Sequence, residues 1–476
     1  MLAKTAAAGG PMLLPEILAF TSSLALDRAL VREDALGSLA HLAMLADVGI
    51  VPRAAAQALA QGLFEIAEGA PLSADEEDVH MAIEARLAET VGPASQLLHS
   101  ARSRNDQVAL TLRLHVREQC GALLGELAAL VEAMVERARA DADITLPAYT
   151  HRQRAQPISL AYWWLGHAAG FARDLEMLMH VWQGADAMPL GVGAIAGTSL
   201  PIDRERVRQL LRFSRLTLNG LDTVGDRDFA LDWSYACARL GVHASRLATD
   251  LVDFTTAEFG FAKLDDAIAC GSSMMPQKKN PDVFELVRGK AGPAIGDLVA
   301  LLTTIKGLPG GYNRDLQEDR GPLLAVGTRA RGLVAALALS LPRVAFDPAR
   351  CAAAIESDYT QATDLAEALV TGGVPFRTAY QLVGKLVRAC SDRGLPLGHA
   401  TPAMAHAIDP RFDATVLAAL DARGSTLRKH SAGSTGPAAI AAQLDALGEQ
   451  AHVARAHAAG LPRTGPLLAA MVEVFA

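Results

Sequence analysis

The chain has 476 residues, too many for one ordinary core and enough for two to four domains. Half of it is apolar, alanine is abundant and aromatics make up only 5%, a composition that favours closely packed helices. A formal charge of −8 gives no support for a nucleic-acid partner, and five scattered cysteines without a CxxC pair argue against a disulfide framework or a zinc site.

At the N-terminus, MLAKTAAAGGPMLLPE carries one lysine, but Gly9, Gly10 and Pro11 interrupt any signal-peptide core. No apolar run reaches the roughly 18 residues of a membrane span; the longest, Leu333 to Leu341, stops at Pro342-Arg343. A cytoplasmic protein with no membrane partner is expected. Strand signals are almost absent. From about 108 to 140, Val116, Cys120, Leu123, Leu127, Leu130 and Met134 alternate four and three residues apart, and Leu124, Val131 and Val135 add a second apolar face. Such a helix belongs inside a bundle or at a subunit interface. Further helices are predicted over about 158–182, 233–259 and 281–306, the last kinked at Pro293. The expected fold is all-α with three helical domains: an N-terminal region over 1–102, a central long-helix bundle over 103–354, and shorter helices over 355–476. Gly372-Gly373, Pro375, Pro396, Pro402 and Pro410 break this last region.

Four polar segments interrupt the helices, and each is predicted at a helix end, where sites are commonly built. The first, His99 to Gln107, brings Arg104 and Asn105 to the start of the 108–140 helix, either a carboxylate site or a solvated cap. The second, Tyr149 to Pro157, precedes the 158 helix and holds Thr150 and His151, an acid or base near neutral pH unless it is structural. The third, Gly271 to Asp282, reads as a loop with Asn280 capping a helix that starts at Pro281; Ser272, Ser273, Lys278 and Lys279 lie beside that N-terminus, an anion-stabilising arrangement. The fourth, Tyr312 to Arg320, would on its own pass for a solvated helix start.

Together these segments resemble the argininosuccinate lyase family of the fumarase/aspartase superfamily. GSSMMPQKKNPD is very close to the family signature GSSxMPQKKNPD, whose QKK form separates it from fumarase, aspartase and adenylosuccinate lyase relatives. SRNDQ, YTH-QRAQP, YN-DLQED, VPFRTAYQLVGK and Phe20-Thr21-Ser22-Ser23 with Asp27-Arg28 also match, so the resemblance covers about residues 16 to 440. It implies that Ser272 is the catalytic serine, His151 the catalytic histidine and Glu285 its charge-relay carboxylate. It implies that Lys278 and Asn280 hold succinyl carboxylates, that Ser23, Arg104, Asn105 and Thr150 contact substrate, and that Tyr312 and Gln317 read the amine half. It further implies a homotetramer with each site shared among three subunits, in keeping with an apolar surplus on the 108–140 helix, and a small N-substituted aspartate as substrate.

Several positions depart from the family. Its N-terminal W-G-G-R-F is missing, HTGRSRND is HSARSRND, and the leucine of YTHLQ is Arg152. The substrate-contacting lysine of LQEDK is Arg320, the histidine of PFR-x-AH is Tyr380, and the serine of SDRDF is Gly225. The fumarate-forming half is intact, while the leaving amine is left open. Three readings follow: reversible anti elimination of argininosuccinate to arginine and fumarate in arginine biosynthesis; a paralogous C–N lyase for another N-substituted aspartate of the ethylenediamine-disuccinate type; or an inactive structural homologue. Taking the proton next to a carboxylate makes an aci-carboxylate that needs cations and N–H donors, so the chemistry calls for no cofactor or metal. Ser272 as base with His151 as acid, or the reverse, uses the same residues.

Overall fold

The computed structural model describes residues 14–476, so most of the N-terminal stretch read for a signal peptide lies outside the described residues. Helices dominate, and the strands among the described residues form four two-stranded ladders. The central bundle consists of helices Arg104–Ala140, Leu160–Ala185, Asp228–Thr255, Asp282–Ile305 and Arg320–Ser340. The first begins four residues earlier than predicted because Ser103 caps it: its Oγ accepts from the Asn105 N–H, while the Ser103 N–H donates to the Asp106 carboxylate at 3.0 Å. Pro293 lies within the Asp282–Ile305 helix without ending it.

The seam residues Val116, Cys120, Leu123, Leu127, Leu130 and Met134 are all buried, and so are Leu124, Val131 and Val135. The second face is covered by the same chain. Helix Pro437–Gly460 runs along it, with Ala451, Ala454 and Ala458 buried and the Ala458 methyl 3.7 Å from where a Cβ on Gly125 would stand. This corrects the reading of the 108–140 helix as surplus to its own bundle. The unmatched apolar face belongs to Asp282–Ile305, where Leu286 is 57% exposed and Val299 55%, with Ile295 and Leu302 also open.

A second core packs helices Val31–Asp47, Arg53–Ala67 and Val79–Val91 against Leu110 and Leu114 of the long helix, and a third lies between Leu365 and Val416. The chain end does not stay with the third core: Pro437–Gly460 joins the central bundle, and Thr464–Phe475 inserts Leu467, Leu468 and Met471 into the second core. Stretch Arg314–Arg343 is long and apolar enough to cross a membrane by composition, which a search for uninterrupted apolar runs does not register. Its Leu323, Val326, Ala330, Leu333, Val334 and Leu337 are buried in the central core, the placement of a bundle helix.

Two local structures differ from expectation. The Tyr149–Pro157 segment lies in an antiparallel hairpin, Thr145–Thr150 paired with Gln153–Ser159, whose second strand runs directly into helix Leu160–Ala185 through the Ser159 cap. Asn280 does not cap the next helix. It pairs with Cys270 across a short ladder, Cys270–Gly271 with Lys279–Asn280, and Pro281 occupies the cap position without a side-chain bond.

Candidate active site

The long helix has 37 residues, so at about 1.5 Å per residue its ends stand roughly 55 Å apart. Its N-terminal end gathers one group of predicted residues. Arg104 lies 3.5 Å from Asp78 and donates to Gln107 at 3.1 Å. The Asn105 amide donates to the Ala194 carbonyl at 3.0 Å. Asp106 keeps Oδ1 in the cap and with Oδ2 accepts the Gly191 and Gly193 N–H groups at 2.9 and 2.8 Å, fastening the glycine-rich 190–198 loop beside Arg104. Burial pushes the Asp106 carboxyl up to about 6, against the three N–H donors that favour its charge. Arg104, Glu77, Asp78, His99, Thr198 and Arg314 face a cavity of about 590 Å3.

Ser23, Tyr312, Gln317 and Arg320 come to the same end. Gln317 donates to the Thr21 carbonyl at 2.8 Å, and the Ser23 N–H donates to the Glu77 carbonyl at 2.9 Å. Burial raises the Tyr312 phenol above its ordinary value. Ser23 Oγ donates to Asp27 at 2.5 Å; Arg320 donates to Asp27 at 3.3 Å and to Asp319 at 2.8 Å; Asp319 accepts from Arg227 at 2.5 Å. All five groups are buried. Burial alone would lower the Arg320 guanidinium, but Asp319 and Asp27 outweigh it and hold the group firmly charged. Arg320 is therefore engaged with two protein carboxylates, a role the LQEDK position did not suggest.

The opposite end carries the rest. His151 and Arg152 form the two-residue tip of the hairpin, with φ of 54° and 59°, and Thr150 pairs with Gln153 beside them. The Ser272 Oγ accepts from the Met274 and Met275 N–H groups at 3.3 and 3.0 Å, a local turn that favours negative charge on that oxygen. Lys278 is exposed in the same loop. His151 and Glu285 do not bond to each other within the chain; Glu285 faces Arg288 at 3.8 Å on its own helix. One chain thus places Arg104, Asn105, Ser23, Tyr312 and Gln317 at one end of the bundle and His151 with the Ser272 loop at the other.

The cavity also contains groups that the sequence reading did not single out: Glu77, Asp78, Arg314 and the 190–198 loop. The loop had a legible signal in the glycines of GVGAIAG, whereas Glu77 and Arg314 meet only through tertiary packing, in an ion pair between the N-terminal region and the segment before Arg320–Ser340.

Residues 16–296 match the lyase family and residues 359–426 match the argininosuccinate lyase C-terminal family. The chain is 48% identical over 437 residues to an argininosuccinate lyase of Anaeromyxobacter sp. (strain K), covering 90% of this chain and 93% of that protein. It is 43% identical to one of Synechococcus sp. (strain JA-3-3Ab), covering 90% and 88%. Among solved structures it resembles EDDS lyase in complex with formate, with a TM-score of 0.84, 26% identity and coverage of 97% and 93%. It also shares the fold of class II fumarase from Schistosoma mansoni, with a TM-score of 0.72, 14% identity and coverage of 85% and 94%. With relatives this similar along nearly its whole length, the chain belongs to the argininosuccinate lyase family.

Proposed function

We propose that the protein cleaves argininosuccinate reversibly to arginine and fumarate, as a cytoplasmic enzyme of arginine biosynthesis, in a homotetramer whose sites draw on several subunits. The observation that carries the activity is the 48% identity across 90% of the chain, joined to an unbroken set of chemical groups in the Ser272 loop and at His151.

Ser272 removes the proton from the carbon next to a carboxylate. Two backbone N–H groups already point at its oxygen, which is what an alkoxide base requires. Lys278 and Asn280 balance the charge of the aci-carboxylate. His151, oriented by Glu285 of another subunit, protonates the departing nitrogen, and the carboxylate stabilises the imidazolium. Arg104, Asn105, Ser23 and Thr150 contact the substrate, while Tyr312 and Gln317 face the amine half. Arg320 orders Asp27 and Asp319 behind them.

The shared site is supported by the separation of the two residue groups, by the absence of a His151–Glu285 bond within the chain, and by the open apolar face of Asp282–Ile305. A second reading, cleavage of an ethylenediamine-disuccinate type substrate, is favoured by the likeness to EDDS lyase. Formation of fumarate, followed by absorbance with argininosuccinate and a panel of N-substituted aspartates, separates the two. Brisk argininosuccinate cleavage supports the first reading, and its absence in an intact oligomer would remove it.

A further inference from the structure

A two-residue hairpin loop with positive φ at both positions has the type I′ geometry that Asn-Gly adopts without strain. Here the two positions are His151 and Arg152, at 54° and 59°, and both carry full side chains in the left-handed region. Such a turn persists only where its surroundings over-determine it. The strands below the tip are held by several contacts: the Tyr149 ring lies 5.4 Å from that of Phe259, Arg154 donates to the Ala354 carbonyl at 2.8 Å, and the Ser159 N–H donates to the Thr435 hydroxyl at 2.9 Å. The tip itself is held at one point: Arg152 Nη2 donates to Asp253 Oδ2 at 2.5 Å. Among the described residues of one chain His151 makes no hydrogen bond of its own, so the backbone at 151 and 152 decides where the imidazole is presented, and Glu285 of another subunit then orients the ring. Asp253 lies in the last turn of Asp228–Thr255, a rigid bundle helix whose continuation leads to the Ser272 loop.

We propose that Arg152 and Asp253 form a latch that holds the strained turn and so positions His151 for proton transfer. Arg152 is a positioning residue. It touches no reacting atom, but without the ion pair the turn relaxes toward negative φ and swings the imidazole away. A side chain without a cation at 152 cannot make this bond. The inference rests on the catalytic reading of His151.

The test uses Asp253→Asn, Arg152→Ala, the double variant and Arg152→Lys in the intact oligomer, with His151→Asn alongside. Each is measured for kcat and KM on argininosuccinate and for amide hydrogen exchange over residues 150–153. The latch predicts a fall in kcat of about ten-fold in Asp253→Asn and Arg152→Ala, the scale of a misplaced catalytic group, with KM within about two-fold. The double variant should be no worse than either single one, exchange at the tip should quicken, and Arg152→Lys should keep most of kcat. Unchanged kcat in both single variants, with His151→Asn inactive, overturns the latch and leaves the catalytic reading standing. Full turnover in His151→Asn overturns the catalytic reading, and the positioning role with it.

Discussion

Arg320 shows how one side chain's partners decide what its substitution does. Its Nε and Nη1 reach two buried carboxylates, Asp27 at 3.3 Å and Asp319 at 2.8 Å, and Asp27 in turn receives the Ser23 hydroxyl. The arginine fork bridges both; a lysine ammonium is a point charge that sits well against one. Arg320→Met should therefore destabilise the fold by roughly 3–5 kcal/mol, the usual cost of leaving buried charges without their partner, and Arg320→Lys by a smaller but measurable amount. Denaturant midpoints check this, and a lysine variant as stable as wild type would show that the fork is not needed. The chemistry at the other end gives a different signature. Ser272→Ala and His151→Asn should each lower kcat by at least ~100-fold while leaving the unfolding midpoint almost unmoved, since both residues lie at loop tips with little packing. Near-normal turnover in either variant would remove the role given to that residue.

At the scale of elements, a buried carboxyl beneath the last helix links stability to pH. Glu33, in the first turn of Val31–Asp47, faces Thr464 at the start of Thr464–Phe475, and burial pushes its carboxyl up to about 7 from 4.5. Between those values the folded chain keeps a proton that the unfolded chain has released, so stability falls as pH rises through that window. A shift of this size corresponds to roughly 3 kcal/mol. Glu33→Gln should remove the slope, so that its Tm exceeds that of wild type by a margin that grows from pH 5 to pH 8; parallel Tm curves would refute the assignment. The elements also show where sequence is readable. The long helices are plain because their apolar period is unbroken and Ser103 supplies a cap. The hairpin was hidden: its strands contain Pro147 and Pro157, and its turn is His-Arg where Asn-Gly would have announced it. Asn280 followed by Pro281 resembled a cap because nothing local records that Asn280 pairs with Cys270. The residues proposed for the site stand in motifs legible in the sequence, but Arg320's inward pairing is not legible there, because Asp27 lies 293 residues away.

The whole molecule poses a problem of distance. A bundle roughly 55 Å long holds Arg104 and Tyr312 at one end and His151 and Ser272 at the other, and substrate is far shorter than that. In the proposed oligomer, antiparallel association of copies through the open face of Asp282–Ile305 would bring opposite ends together and bury Leu286, Val299 and Leu302, which are exposed in one chain. Val299→Glu should then dissociate the oligomer and abolish activity together, although residue 299 lies far along its helix from the Ser272 loop. A monomer by light scattering that kept full activity would contradict shared sites. The sharper prediction comes from mixing. His151→Asn and Ser272→Ala oligomers should each be nearly inactive, since every site would lack one group. If His151 and Ser272 of one site come from different subunits, randomly mixed oligomers rebuild some sites with both native residues. For equal amounts of the two variants that share is about one quarter of the wild-type sites. If instead both residues of a site came from the same chain, every site would retain one lesion and no mixture would recover. Co-expression of the two variants with different affinity tags, tandem purification of the mixed species and assay of fumarate release distinguish the cases. Recovery near a quarter of wild-type kcat per site supports the shared site, and none in mixed oligomers of confirmed composition would refute it.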